Sequence, residues 1–219
     1  RAPGEIARVL ASALRHSQPV YIELPRDMVR APCEPVAPEA PAPIDEDALA
    51  ACVDELLARL AAANSPVLMA GIEVRRYGLE AKVAELSRRL GLPVVTSFMG
   101  RGLLADADAP LVGTYMGVAG EPELSRMVES SDGLLLLGEI VCDTNFAVSE
   151  RKIDLRRTIR ALDGRVTMGY HVYPDIPLAA LVDRLLARVP ATRRHFDVRR
   201  AEFPRGMPAD DATIAPNDI

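Results

Sequence analysis

Apolar residues along positions 45–189 recur with two spacings, which indicates helices alternating with strands. In four segments they recur every three or four positions, as on the buried face of a helix. The buried stripes of three of these helices are Leu49, Val53, Leu56, Leu57 and Leu60; Leu79, Val83, Leu86 and Leu90; and Leu178, Leu181, Val182, Leu185 and Leu186. The fourth helix is predicted over 121–130, and the helix that carries the last of these stripes is predicted over 176–189. Asp45 can cap the first helix and Gly91 can end the second.

Short apolar runs separate these helices. Residues 66–70, 93–97 and 133–138 each predict a strand, and residues 158–162 and 166–168 predict two more. The third run reads Gly-Leu-Leu-Leu-Leu-Gly, which is too uniformly apolar for a sheet with one face in water. Strands of this kind, separated by helices, predict an α/β fold. We expect a doubly wound parallel sheet, Rossmann-like, with right-handed crossovers and helices on both faces.

The segments on either side of this alternation have different patterns. Residues 4–16 predict a short amphipathic helix, and residues 19–25 predict a strand whose partners must come from elsewhere. Residues 31–44 contain five prolines and no apolar periodicity, which is typical of an extended, semi-rigid linker. Residues 190–219 are polar and rich in Arg, Asp and Pro, so they predict a second linker.

Composition narrows the classes of function. The 219 residues are 49% hydrophobic, and 26 Lys and Arg against 31 Asp and Glu give a net charge of −5. This excludes a wholly disordered chain and disfavours nucleic acid as a partner. No apolar run approaches the roughly 20 residues that span a membrane. Cys33, Cys52 and Cys142 show no metal-ligand spacing, so we expect a reducing, cytoplasmic location without disulfides or structural zinc.

The familiar catalytic motifs are absent. The chain has three histidines, His16, His171 and His195, and it contains no HExxH, GxSxG or GxxxxGK[ST] pattern. These patterns carry the zinc ligands, the hydrolase nucleophile and the phosphate loop, respectively. Their absence argues against a metalloprotease, a hydrolase of this type and a phosphate-loop protein, and the motifs identify no catalytic residue or metal ligand.

Glycines cluster after the predicted strands, where two interpretations are open. The glycines in question are Gly71, Gly78, Gly100, Gly102, Gly113, Gly117 and Gly138. Glycine at such a place can let the backbone approach a phosphate or carboxylate. It can equally serve a tight turn that needs its conformational freedom. None of these glycines forms GxGxxG, which favours the turn.

One constellation of side chains can be placed at the same edge of the predicted sheet. Arg75 and Arg76 follow the first strand, while Asp143 and Thr144 follow the Leu-rich strand. An Arg fork could bind a carboxylate there while the threonine supplies a hydroxyl. The alternative is a structural Arg–Asp ion pair without a ligand. Glu73 could act as an acid or base, but the sequence shows no partner for it.

Several segments together resemble the thiamine-diphosphate-dependent decarboxylases. Residues 19–27, Pro-Val-Tyr-Ile-Glu-Leu-Pro-Arg-Asp, resemble the end of their pyrimidine-binding domain, and residues 214–219 resemble the opening of their diphosphate-binding domain. Segments similar to the central domain are 65–71, 100–102, 113–117, 131–138 and 143–145. Segments 74–84, 114–120 and 145–149 are most similar to indolepyruvate and phenylpyruvate decarboxylases. The resemblance covers the whole chain in the expected order.

This resemblance implies a division of the chain into four parts. Residues 1–30 would end the pyrimidine-binding domain, 31–44 would be the Pro-rich linker and 45–189 the central domain. Residues 190–219 would be a linker and the start of the diphosphate-binding domain. The chain also begins at Arg1 rather than methionine and ends after a helix-cap pattern without a helix, so we expect a piece of a longer protein.

The resemblance also implies an activity for the intact enzyme. It would convert an arylpyruvate, such as indole-3-pyruvate or phenylpyruvate, to the aldehyde and CO2, using thiamine diphosphate and Mg2+ as a homotetrameric dimer of dimers. The catalytic glutamate of the family precedes this chain, and its Gly-Asp-Gly motif follows it. Asp132-Gly133 and Asp163-Gly164 lack the preceding glycine. We therefore expect no bound cofactor and no activity in this chain alone.

Central domains of this superfamily differ in what they bind. Those of acetolactate synthases hold FAD and those of oxalyl-CoA decarboxylases hold ADP, whereas 2-keto acid decarboxylases generally bind no nucleotide and some are activated by their substrate. The leading hypothesis is a regulatory 2-keto acid site that includes Arg75, Asp143 and Thr144 and adjoins the pyrimidine-binding domain. The alternatives are a nucleotide-binding module for FAD or ADP and a purely structural spacer.

Overall fold

A sheet of seven strands forms the centre of the protein in the computed structural model, which describes residues 2–37, 40, 42–146 and 152–191. The strands are β1 (Pro66–Ala70), β2 (Val94–Ser97), β3 (Leu111–Tyr115), β4 (Gly133–Leu137), β5 (Ile159–Leu162), β6 (Arg165–Met168) and β7 (His171–Tyr173). The helices are α1 (Ala2–His16), α2 (Glu46–Ala62), α3 (Ile72–Arg76), α4 (Glu80–Leu90), α5 (Pro122–Glu129), α6 (Asp143–Phe146) and α7 (Leu178–Arg188). The strand order is β3-β2-β1-β4-β5-β6-β7.

The predicted α/β fold is confirmed in its five-stranded parallel part. β1 lies between β2 and β4 and is parallel to both, and β3 and β5 extend this arrangement on either side. The β1–β4 pair runs in register from Pro66 opposite Gly133 to Ala70 opposite Leu137. Helices separate most of these strands along the chain, as expected for a doubly wound sheet.

The last two strands differ from the prediction of a wholly parallel sheet. β6 pairs antiparallel with β5, and β7 pairs antiparallel with β6. The cause is a two-residue turn at Asp163 and Gly164, whose φ angles are 51° and 68°. Positive φ at both positions makes a hairpin whose twist matches its strands, and parallel strands cannot be joined by so short a connection.

Alternate residues of the central strands enter two apolar clusters on opposite faces of the sheet. Leu68 and Leu135 belong to the larger cluster, which contains the buried stripes of α2, α4 and α7. Met69 and Leu136 belong to the smaller one, which contains residues of α5 and α6. The sheet is therefore covered on both sides, which is why β4 can be apolar throughout.

The helix ends follow the local chemistry of the sequence. The Asp45 side chain accepts a hydrogen bond of 2.9 Å from the backbone N–H of Ala48 and so caps α2. Gly91, with φ 68°, ends α4 in the left-handed conformation, as predicted. The sequence analysis did not predict α3, α6, β3 or β7. In β3 the strand pattern is interrupted by Gly113, where a Cβ would lie 2.7 Å from Leu124 Cδ1 on α5.

Residues 2–37 make few contacts with the sheet. α1 forms as predicted, but none of its residues is buried. Residues 19–25, predicted as a strand with partners from elsewhere, form no strand here and pair with none of the described strands. Within 31–44 the described residues form neither helix nor strand. Most of the predicted second linker, 192–219, lies outside the described residues. No described helix has the length and apolar character of a transmembrane span.

Candidate functional site

The carboxyl ends of β1 and β4 lie side by side at the centre of the sheet. From β1 the chain continues to β2 and β3 on one side, and from β4 it continues to β5 on the other. Open α/β sheets bind ligands at such a reversal of strand order, outside the carboxyl ends of the strands. Arg75 follows β1, and Asp143 and Thr144 follow β4. All three therefore lie on this edge of the sheet.

Arg75 lies on α3 with 57% of its side chain exposed. Its Nε donates to Glu80 Oε1 at 3.1 Å, and its Nη2 donates to the carbonyl oxygen of Leu103 at 3.5 Å. No hydrogen bond or ion pair joins it to Asp143 within the described part of the chain. The partner of Arg75 is thus Glu80 rather than the aspartate of the alternative interpretation. An exposed guanidinium in a single ion pair retains N–H donors for a further carboxylate.

Asp143 and Thr144 are the first two residues of α6, and both are exposed. Asp143 Oδ1 accepts a hydrogen bond from the backbone N–H of Thr144 at 2.8 Å. The Thr144 hydroxyl lies 3.5 Å from the same oxygen. Both side chains are held at the surface and are accessible to a molecule that approaches this edge.

The glycines that follow β1 and β4 serve close packing. A Cβ on Gly71 would lie 2.3 Å from the carbonyl oxygen of Gly138 and 2.5 Å from Glu139 Oε2. Gly138 has φ 63°, and a Cβ there would lie 2.7 Å from the Cβ of Glu73. The space beside both glycines is filled by the protein's own atoms. This geometry favours the turn interpretation over a cradle for phosphate.

Glu139 is the most unusual group at this edge. Its side chain is 2% exposed, and neither carboxylate oxygen has a hydrogen-bond partner among the described residues. Burial raises the pKa of its carboxyl to about 7, and the nearby Ser97 and Asn145 side chains oppose this rise only in part. The buried Ser97 hydroxyl likewise has no partner there. Burying a carboxylate without donors favours its protonated form.

Asn145 connects the loops that follow β2 and β4. Its side-chain oxygen accepts from the backbone N–H of Met99 at 2.9 Å, and its Nδ2 donates to the carbonyl oxygen of Ile140 at 2.8 Å. Asn145 is itself buried on α6, two residues after Asp143. The position of α6 therefore depends on this amide.

A second polar cluster lies beyond α3, at the β5–β6 turn. Glu73 is buried and accepts a hydrogen bond of 3.1 Å from the backbone N–H of Asp163. Burial raises the pKa of Glu73, and that hydrogen bond opposes part of the rise. The Asp163 side chain contacts His16 Nδ1 at 2.7 Å. A cavity of about 190 Å³ opens beside this pair, and it is not lined by Arg75, Asp143 or Thr144.

The sequence of this domain matches a known family. Residues 53–189 match the family described as "Thiamine pyrophosphate enzyme, central domain". The chain belongs to this thiamine pyrophosphate enzyme family. The match begins within α2 and continues past the end of α7, so it covers the doubly wound sheet and most of its helices.

Several decarboxylases resemble the chain beyond this region. An indole-3-pyruvate decarboxylase of Azospirillum brasilense is 61% identical over 220 residues, which cover 100% of this chain and 40% of that protein. Pyruvate decarboxylases of Aspergillus fumigatus and Aspergillus terreus are 31% and 29% identical over 84% of this chain and 34% of their own length. The chain thus spans less than half of each of these relatives.

The described residues do not fit the cofactor of this family. Among them, no three His, Cys, Asp or Glu side chains lie close enough together to hold a metal ion. The Asp132 carboxylate accepts backbone hydrogen bonds from Asn64 and Ser65 at 2.9 and 2.8 Å, which lower its pKa to about 2. Asp163 pairs with His16. The two Asp-Gly sequences are therefore structural, and no step of thiamine chemistry is assigned to these residues.

The nucleotide alternative is not favoured. The named relatives are decarboxylases, and the atoms beside Gly71 and Gly138 leave no room for a phosphate. The sequence analysis missed Glu139, although a signal exists. It is the one charged residue between Gly133 and Cys142, and a single carboxylate within an apolar run requires an explanation.

Proposed function

We propose that this chain is the central domain of a thiamine-diphosphate-dependent decarboxylase that converts arylpyruvates to the aldehyde and CO2. The observation that carries the proposal is its 61% identity, over its whole length, to an indole-3-pyruvate decarboxylase. Identity to the pyruvate decarboxylases is about half as high. In the intact enzyme, thiamine diphosphate and Mg2+ would be bound by segments outside this chain. We also propose that the intact enzyme is a homotetramer and lies in the cytoplasm. Three free cysteines support the cytoplasmic location.

The substrate class is tested with the intact enzyme. We expect kcat/KM for indole-3-pyruvate to exceed that for pyruvate by at least about tenfold, since an aryl-sized pocket gains apolar contacts that a methyl group cannot make. CO2 release is measured with both substrates in the presence of thiamine diphosphate and Mg2+. The 219-residue chain under the same conditions is the control, and it should release none. A preference for pyruvate would contradict the proposed substrate class.

We further propose that Arg75, Asp143 and Thr144 belong to a regulatory site for the 2-keto acid. Their support is geometric, because all three are exposed at one edge of the sheet and none is fixed in an Arg–Asp ion pair. A 2-keto acid presents a carboxylate, which suits the Arg75 guanidinium, and a carbonyl, which can accept from the Thr144 hydroxyl. The exposure of these residues leaves room for a neighbouring domain to complete the site.

Arg75→Ala tests this site in the intact enzyme. We expect the sigmoidal dependence of rate on phenylpyruvate concentration to be lost, or its midpoint to rise about tenfold, because a charge-assisted hydrogen bond to the carboxylate is removed. The measurement is the initial rate across substrate concentrations, with circular dichroism to verify folding. Arg126→Ala, which removes an exposed arginine on α5, is the matched control. An unchanged sigmoidal curve in a folded Arg75→Ala enzyme would refute the regulatory site.

A further inference from the structure

The start of α6 is held in place by groups that are buried behind it. Asp143 and Thr144 are exposed, whereas Asn145 and Phe146 on the same short helix are 1% and 0% exposed. Asn145 joins the helix to Met99 N and Ile140 O. Phe146 packs edge-on against Tyr115, with ring centroids 5.5 Å apart. The two exposed side chains are therefore held in position by the contacts on the buried side of α6.

Glu139 occupies this buried side. It precedes α6 by four residues, and its Oε2 lies against the backbone at Gly71, where a Cβ would be 2.5 Å away. Its carboxyl is close to both Ser97 and Asn145, yet it makes no formed hydrogen bond. As an uncharged acid, the group carries one O–H donor that a hydroxyl or amide oxygen can accept. As a carboxylate, it only accepts, and it then requires donors from its neighbours.

Two donors lie near an ionised Glu139: the Ser97 hydroxyl, which has no partner among the described residues, and the amide of Asn145, which holds α6. Asn145 Nδ2 donates one of its two N–H groups to Ile140 O. Attraction of the other N–H by an ionised Glu139 would reorient the amide that fixes the loop leading into the helix. Ionisation also adds a negative charge behind Asp143, and this charge repels an anionic ligand.

Other charged groups around this position do not set the protonation of Glu139. On α3, Arg75 pairs with Glu80, and Glu73 bonds to Asp163. In the loop after β2, Arg101 lies 4.6 Å from the centre of the Phe98 ring. On α6, Asp143 bonds to Thr144, and Arg76 on α3 acts on Glu73. The raised pKa of Glu139 has burial as its cause and only Ser97 and Asn145 as opposing contacts.

We infer that Glu139 is a positioning residue for the ligand site at Asp143 and Thr144, which it supports in its uncharged form and weakens when it ionises. The inference rests on the proposed regulatory site and gives that site a dependence on pH. Binding of a 2-keto acid and protonation of Glu139 favour the same arrangement of α6. By thermodynamic reciprocity, protonation of Glu139 increases the affinity of the site for the 2-keto acid, and binding of the 2-keto acid increases the affinity of Glu139 for its proton.

The test compares the wild-type intact enzyme with Glu139→Gln at pH 6 and pH 8. For the wild type, we expect the phenylpyruvate concentration at half-activation to rise about fivefold between these pH values. Glutamine cannot ionise, so the variant should keep one value at both pH values, close to that of the wild type at pH 6. Titration of the catalytic site affects both proteins equally, so it cancels when the change between pH 6 and pH 8 in the wild type is divided by the change in the variant. An equal rise in both proteins would overturn the inference.

A spectroscopic measurement keeps the inference testable if Glu139→Gln enzyme does not fold. In infrared difference spectra of the wild-type 219-residue chain, the carbonyl band of a protonated carboxyl should disappear between pH 6 and pH 8. Glu73→Gln is the control, because Glu73 is the other buried carboxyl with a raised pKa in the part of the chain that the structure describes. The band should persist at pH 6 in that variant. Its absence from the wild type at pH 6 would overturn the role of protonation.

Failure of this inference can be told apart from failure of the regulatory site itself. If Arg75→Ala leaves activation unchanged at both pH values, the site at Arg75, Asp143 and Thr144 is wrong. If Arg75→Ala abolishes activation but Glu139→Gln keeps the full pH dependence, the site is correct and only the role of Glu139 is refuted. Loss of the pH dependence in Glu139→Gln, with activation retained, supports both.

Discussion

Replacing Gly71 by alanine should lower the free energy of unfolding of this chain by about 3 kcal/mol or more. The new Cβ would lie 2.3 Å from the carbonyl oxygen of Gly138 and 2.4 Å from the Cα of Glu139. Both are backbone atoms, so no side-chain rotation can relieve the contact. β1 and β4 are paired along their whole length at the centre of the sheet, and they can separate only by giving up hydrogen bonds and apolar contacts.

This effect is measured by urea denaturation followed by circular dichroism. Gly4→Ala is the matched control, since a Cβ at Gly4 would have no atom within 4 Å. Alanine is also the better helix former, so this control should not lower stability. A Gly71→Ala protein within 1 kcal/mol of the wild type would show that the contact between the two strand ends is not as close as described.

The second large effect is a fall in stability as pH rises from 5 to 8. Glu139 has a pKa of about 7 in the folded chain against 4.5 ordinarily. Between these values the folded state binds more protons than the unfolded state, so the free energy of unfolding decreases with rising pH. The loss is at most about 3 kcal/mol and is complete above the folded pKa. Burial of Glu73 acts in the same direction.

Urea denaturation at half-unit steps of pH measures this dependence. Glu139→Gln should remove most of the decrease of the free energy of unfolding with pH. Glu73→Gln should remove only the part that Glu73 contributes. The pKa values of three carboxyls are lowered, those of Glu55 and Asp132 to about 2 and that of Asp154 by its hydrogen bonds with Arg156. These groups lose their contribution to stability below this pH range and do not interfere. A wild-type stability that is constant from pH 5 to pH 8 would contradict a buried, protonated Glu139.

The buried strands and the helices packed on them were predicted well from the sequence, because the apolar patterns that indicate them are local. β1 and β4 were recognised by continuous apolar runs, and α2 by its stripe and the cap at Asp45. β3 was missed because Gly113, needed to admit Leu124, interrupts the strand pattern. The antiparallel direction of β6 depended on two turn residues, Asp163 and Gly164, whose hairpin geometry the apolar pattern does not show.

The candidate site was predictable only where sequence order determines position. Arg75 and Asp143 were placed at one edge because each follows a strand of a parallel sheet. Glu80, the ion-pair partner of Arg75, is five positions away, and no periodic pattern indicates the pair. The contacts of Glu139 with the ends of β1 and β2 join residues far apart in sequence. Such contacts can be predicted only when the strand order is known.

The short antiparallel end of the sheet affects how the protein behaves at high concentration. β7 has only three residues, His171–Tyr173, so it presents few unpaired backbone groups at this margin. Edge strands of greater length serve as templates on which other chains add strands and aggregate. The brevity of β7 therefore limits intermolecular strand addition at this margin, even though Tyr170 and Val172 expose apolar surface beside it.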